Sequence, residues 1–309
     1  MNKTKALYVV IGGLLFAALL VHITLLRAPG GANDGGETHG AVNHNPLVAA
    51  QPQRIVSMSP GNTEILFALG AGDRVVGVTS YSDYPEEAKT KPGIGGYHAP
   101  DVEKIVALSP DIVFAMGNIQ QKQIRMLEQA GIPVISVEPK SMAEILAAID
   151  TISAAIGEQE RGAALHADLA DRLNEVRLLT AHLPPKKVFL EIWDAPLLTV
   201  GKKSFINDMI SQAGGVNAAA DKNVDYTPCD IETIYAYNPE VYVVISHSRS
   251  DTRSVIIRPE LADMEAVKNN QVFHIVDDLL ARPGPRSFSG LVKLAEILHP
   301  EEMKREEKN

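Results

Sequence analysis

A single cysteine, Cys229, stands in 309 residues, so the chain can form neither an internal disulfide nor a thiolate metal cluster. Cysteine usage therefore decides neither compartment nor redox role, and Cys229 reads as a small residue in a loop. Aromatic residues are scarce, 5% of the chain with one tryptophan, which makes their placement informative. Positive charge is also short: 29 Lys and Arg against 38 Asp and Glu leave a formal charge of -9. No run of interleaved Lys, Arg and aromatics is present to follow a phosphate backbone, which argues against nucleic acid as a partner. Enzyme signatures are incomplete as well. "TVGKKS" lacks the preceding glycine of a phosphate-binding loop, Pro196 standing in its place. "RSFSG" lacks the first glycine of a nucleophile elbow. No carboxylate pair sits in a recognisable acid/base framework, so the reading is of a protein that is not an enzyme and carries no cofactor of its own.

What is present begins at the amino terminus. Lys3 and Lys5 precede an apolar run from Ala6 to Leu26, interrupted only by His22 and Thr24 and ended by Arg27. That length spans a hydrocarbon core. The run is longer than the apolar region of a cleaved signal and no small-x-small site closes it, so residues 1–27 read as a retained anchor in preference to a removed leader. The lysines stay in the cytoplasm and everything after Arg27 lies outside. No cysteine follows the run, which excludes a lipoprotein anchor. Residues 28–53, rich in Gly, Asn and Pro, read as a flexible tether. His39 and His44 within it read as solvated residues rather than metal ligands.

The body has 45% hydrophobic and 22% charged residues overall, the composition of a folded chain. Its plainest feature is a repeat. "DVEKIVALSPDIVFA" from Asp101 and "DIETIYAYNPEVYVV" from Asp230 share an acid, a helix, a proline and a strand at a constant offset. Strands at "RIVSM", "RVVGV", "DIVFA" and "PVISV" alternate with helices over 54–140, and "KVFLEI", "VYVVI" and "QVFHIV" do so over 186–300. Such alternation predicts α/β lobes with mostly parallel sheets and helices on both faces. Residues 141–185, Ala- and Leu-rich with a candidate break at Gly157, read as a long helical spine between the lobes. A helix is expected from Leu261 to Val267 and another from Phe288 to Leu298, and the polar tail 301–309 is expected to fray. The fold class is thus α/β, with two Rossmann-like lobes joined by a long rigid helix and a cleft at the carboxyl ends of the strands.

With "SMSPGNTEILFALG", "SYSDYP", the two acid-led helices, "SFINDMISQAGGVN" and "RPGPR" in that order, Arg54 to His299 resembles the helical-backbone class of substrate-binding proteins for ABC importers. These carry cobalamin, ferric siderophores, haem or metal ions. "SYSDYP" and "RPGPR" most resemble the cobalamin-binding branch. The resemblance implies delivery of a corrinoid to a permease dimer with its ATPase subunits, outside the cytoplasm. A ferric siderophore or haem binder is the first alternative, and an interaction module on the same fold the second. The resemblance also implies that Glu103 and Glu232, one per lobe, dock on two symmetry-related permease subunits. As helix-leading acids they are equally explained by capping and the helix dipole.

Tyr81, Tyr84, Tyr97, Trp193 and Tyr226 fall in predicted loops on the cleft side, where a flat ring with a polar tip suits a large ligand. By match to the cobalamin branch, Tyr81, Tyr97, Tyr226 and Asp278 line the cleft, and Trp193 joins them as a ligand-binding candidate. Met116 stands where that branch can carry an aromatic. Arg282 and Arg286, in a loop with Asp277 and Asp278, either grip the ligand or hold their own loop by ion pairs. His274 reads as a packed strand residue. His98 and His247, near predicted strand ends or helix starts, keep an iron chelate open.

Overall fold

The structure, a computed structural model, describes residues 51–246, 253–256 and 258–306. The expected anchor, His39, His44 and His247 lie outside these residues. Among the described residues no helix is long and apolar enough to cross a membrane.

Four apolar runs make the N-terminal sheet: β1 (Ile55–Ser57), β2 (Val75–Val78), β3 (Ile112–Ala115) and β4 (Val134–Ser136), all parallel in the order β2-β1-β3-β4. Every residue of β1 and β3 is buried, as expected of strands covered on both faces. Helices α1 (Pro60–Ala68), α2 (Val102–Ala107) and α3 (Gln121–Gln129) connect them. Helix α1 starts where Ser59 accepts from the Asn62 N–H and Pro60 presets the first turn. It is followed by Gly70 at φ +74, a left-handed stop.

The predicted spine is two helices rather than one. Helix α4 (Met142–Ile156) ends at Gly157, whose φ of 77 reverses the chain, and α5 (Gln159–Thr180) packs back along it. Gly162 makes this close packing possible, because a Cβ there would overlap the Ser153 side chain. Helix α5, about 33 Å long at 1.5 Å per residue, reaches both lobes. Arg161 near its start donates to the Leu69 carbonyl at 3.2 Å, and Arg177 near its end donates to Gln212 at 2.6 Å.

The C-terminal lobe contains β5 (Lys186–Asp194), β6 (Leu197–Val200), α6 (Phe205–Gln212), β7 (Gly215–Asn217), β8 (Tyr226–Pro228), α7 (Ile231–Tyr237), β9 (Val241–Ser246), β10 (Val272–Val276), α8 (Asp277–Leu280), α9 (Ser287–Leu298) and α10 (Pro300–Glu306). Strands β7, β9 and β10 run parallel to β5, but β6 and β8 extend the sheet antiparallel. This departs from the parallel expectation because only Ala195 and Pro196 separate β5 from β6, and so short a link permits only antiparallel pairing. The helix expected over Leu261 to Val267 is two short turns, Pro259–Leu261 and Glu265–Lys268, parted at Met264, whose backbone is extended. The tail does not fray at its start. Helix α10 covers Pro300–Glu306, and Met303 packs on the core.

One apolar cluster runs from the N-terminal lobe (Ile55, Phe114) through the spine (Ile149, Leu173) into the C-terminal lobe (Val188, Leu291). The outer faces of the sheets have separate cores, around Val113 and Leu127 in one lobe and Phe189 and Tyr242 in the other. The lobes therefore share a core along the spine.

Candidate functional site

Tyr81 lies just beyond β2 and Tyr97 in the segment leading to α2, so both emerge at the carboxyl edge of the N-terminal sheet. Their rings meet edge to face, centroids 5.7 Å apart and planes at 87°. Tyr97 also lies against His98, with ring centres 4.0 Å apart. Tyr226 opens β8 in the other lobe, yet it is close enough to act on Tyr97. The Tyr97 hydroxyl is pushed above the usual phenol range, first by burial and then by the Tyr226 and Tyr81 hydroxyls. Burial also raises the Tyr226 hydroxyl; Asp225 adds to the shift, while Ser204 and Lys140 oppose it. Three predicted tyrosines are thus brought together across the lobes. Tyr81 and Tyr226 remain 48% and 52% exposed.

Trp193 is placed differently. It is 57% exposed near the end of β5, and its indole N–H donates to the Ala195 carbonyl of its own hairpin at 2.9 Å. His98 is exposed, and His274 sits within β10 with its Nε2 buried and without a hydrogen-bond partner. Among the described residues no group of three His, Cys, Asp or Glu side chains is arranged to hold a metal.

Asp278, on α8, is held by two ion pairs, with Arg282 at 2.8 Å and Arg286 at 3.4 Å. Of the two sequence readings for these arginines, neither is complete, because their other partners come from the opposite lobe. Arg282 pairs with Asp83, and Arg286 pairs with Glu64 of α1 at 2.7 Å and lies 4.0 Å from the Tyr84 ring centre. Burial raises the Glu64 pKa and the Arg286 contact recovers part of that cost. At Asp83 burial also pushes upward, but Arg282 outweighs it and the carboxyl is lowered. Gly61 and Pro283 bring the two segments into backbone contact at this point, since a Cβ on Gly61 would overlap the Pro283 carbonyl.

Gln120 had no sequence signal. Fully buried, it donates to the Met58 carbonyl at 2.7 Å and the Tyr97 carbonyl at 2.5 Å, and accepts from the Met116 N–H at 2.7 Å. One side chain thereby ties the ends of β1 and β3 to the tyrosine loop. Glu64 could have been suspected from sequence, as the one acid in α1, directly before the apolar run Ile65–Ala68.

The docking candidates are built alike. Asp101 accepts from the Lys104 N–H at 3.2 Å and Asp230 from the Thr233 N–H at 2.8 Å, which caps α2 and α7. Capping is thus performed by the aspartates, and Glu103 and Glu232 are left exposed. Each helix leads into a parallel strand and so runs back across its sheet, which sets its N-terminus at the cleft edge.

Two α/β lobes on a helical spine, with aromatic rings converging from both, define a bilobal binding protein. The chain belongs to the periplasmic binding protein family, whose model matches residues 55–279. It is 31% identical over 94% of its length to an ABC transporter substrate-binding lipoprotein of Bacillus subtilis, YvrC, of which the match covers 98%. It is 30% identical over 82% of its length to the vitamin B12-binding protein of Vibrio cholerae, covering 92% of that protein. The crystal structure of the Vibrio cholerae periplasmic vitamin B12 binding protein matches with a TM-score of 0.74 at 28% identity, over 84% of this chain and 99% of that one. A periplasmic haem-binding protein from a Roseiflexus species matches with a TM-score of 0.73 at 29% identity, over 81% and 99%.

Proposed function

We propose that this protein is an extracytoplasmic substrate-binding protein of an ABC importer, held to the membrane by its N-terminal segment, that binds a corrinoid between its lobes without covalent chemistry. The observation that carries the reading is the meeting of Tyr81, Tyr97 and Tyr226 across the lobes at the carboxyl ends of the strands. Exposed ring faces with phenol tips match a wide, flat ligand rimmed by amides, and the vitamin B12-binding relatives favour the same ligand class. Asp278 contributes carboxylate oxygens beside them, and Trp193 supplies a further exposed ring. Glu103 and Glu232 serve as paired docking acids for the two permease subunits, which work with their ATPase subunits.

The test is a titration of the protein with cyanocobalamin, cobinamide, haem and ferric siderophores, read by visible absorption and by Trp193 fluorescence. Saturable corrinoid binding that is lost on Tyr81→Ala and Tyr226→Ala is the expected result. Saturation by an iron chelate alone would replace the ligand assignment, and no binding of any of them would favour an interaction module.

A haem reading is supported by one observation of its own. Tyr97 and His98 lie ring to ring at the cleft edge, a phenol and an imidazole that can each ligate iron. A Soret shift on adding haem that disappears in Tyr97→Phe would select it.

A further inference from the structure

The lobe boundary beside the tyrosines holds more carboxylates than cations. Two guanidiniums, Arg282 and Arg286, face three acids, Asp278, Asp83 and Glu64. The arginines and Asp278 belong to the C-terminal lobe; Asp83 and Glu64 are supplied by the other. Both arginine side chains are largely buried, at 10% and 19% exposure, and the Glu64 side chain is at 2%. The Gly61–Pro283 contact brings the two segments together beside the network, and its buried members act on one another at short range. Lys140, the cation that acts on Tyr226, is also engaged, paired with Glu138 at 2.6 Å.

A cleft meant for an anionic ligand leaves a guanidinium free to receive it, in the forked geometry that suits carboxylate or phosphate. In this network both guanidiniums are already paired with carboxyl groups, the buried Arg286 Nε being without a hydrogen-bond partner among the described residues, and three acids stand against two cations. A carboxylate-bearing ligand would have to displace a buried ion pair, whereas an uncharged amide can donate to Asp278 without displacing anything.

We propose that Asp83 and Glu64, by pairing with Arg282 and Arg286 from the opposite lobe, are specificity-determining residues that bar anionic ligands from the cleft and reserve it for uncharged, amide-rimmed ones. The inference rests on the cleft being the ligand site. It makes Asp83 and Glu64 positioning residues, which act through the arginines on Asp278 rather than by touching the ligand.

The test uses ligand pairs that differ at their carboxylates: cyanocobalamin and its monocarboxylic acid, in which one side-chain amide is hydrolysed, and haem dimethyl ester and haem. Each is titrated into the wild-type protein, Asp83→Asn and Glu64→Gln, with folding of each variant checked by circular dichroism. The wild type is expected to bind the uncharged member of a pair about tenfold tighter, and either variant to cut that ratio by about fivefold or more. A defect of structure alone would weaken both members equally and leave the ratio where it was. An unchanged ratio in both variants, or a wild type that prefers the acid, overturns the proposal. Because Asp83 is partly exposed, Asp83→Asn keeps the test available if the buried Glu64→Gln does not fold. Wild-type binding of the haem pair alone would remove the corrinoid assignment while still reading the charge ratio. Binding of neither pair would remove the ligand reading and this inference with it.

Discussion

Ser109 and Asn238, 129 residues apart, both hold the left-handed backbone conformation, at φ 46 and φ 44. Each ends an acid-led helix, and each is followed by proline and then by an acid whose carboxylate caps the start of a central strand. Asp111 accepts from the Gln53 and Arg54 N–H groups at 2.7 and 2.8 Å, and Glu240 accepts from the Lys187 N–H at 3.0 Å. The repeat seen in the sequence is therefore a repeated device that hooks the helix end to the neighbouring strand. It explains the left-handed residues and the acids after proline, while Asp101 and Asp230 cap the helices and Glu103 and Glu232 stay exposed.

Replacing Glu103 and Glu232 together by alanine is expected to abolish association with the transporter. If each acid enters a basic socket, its removal costs about 2 kcal/mol or more, and the two together weaken association roughly a thousandfold. Ligand affinity should not change. Pull-down on reconstituted transporter beside a ligand titration checks this, and a parallel fall in ligand affinity would refute the docking role.

Gln120→Leu should lower ligand affinity about tenfold by releasing the Tyr97 carbonyl and the Met116 N–H, and should destabilise the fold by about 1–3 kcal/mol through the buried groups left unpaired. In a Tyr97→Ala background the loss of affinity should largely vanish. Additive losses in the double variant would show that Gln120 does not act through Tyr97.

Arg258 makes a bidentate pair with Glu191 at 2.8 Å on both arms, and Tyr242 donates to the same carboxylate. Glu191 is 2% exposed. Arg258→Ala leaves that charge buried with the Tyr242 phenol as its hydrogen-bond donor among the described residues, and should cost about 3–5 kcal/mol. Urea unfolding followed by circular dichroism measures it, and a loss below about 1 kcal/mol would mean that Glu191 is relieved by solvent.

Cys229 should be slow to alkylate. Burial first, and then the Asp230 charge, push its thiol up to about 11, so at pH 8 only about one thiol in a thousand is ionised, against roughly a quarter for a free cysteine. The rate with iodoacetamide is expected to climb close to tenfold per pH unit from pH 8 to pH 10. A rate that levels off near pH 9 would place the thiol in the ordinary range.

The sequence by itself determined the lobes, the repeat and the helix stops, because these depend on local chemistry. Buried apolar runs make strands, Asp101 and Asp230 cap helices, and glycines at 70 and 157 take the left-handed turn. The tertiary structure alone decided that Gly157 folds the spine back on itself, since the contact of Gly162 with Ser153 depends on two helices meeting. It also decided which tyrosines converge, and that Asp278 is already paired. No local pattern joins Glu64 to Arg286 across 222 positions, or makes Gln120 the tie between two strands and a loop. Ion pairs and buried hydrogen bonds between distant segments are chosen by the packing of whole lobes, where an unpaired polar group is costly enough that its partner must be found wherever the chain brings one.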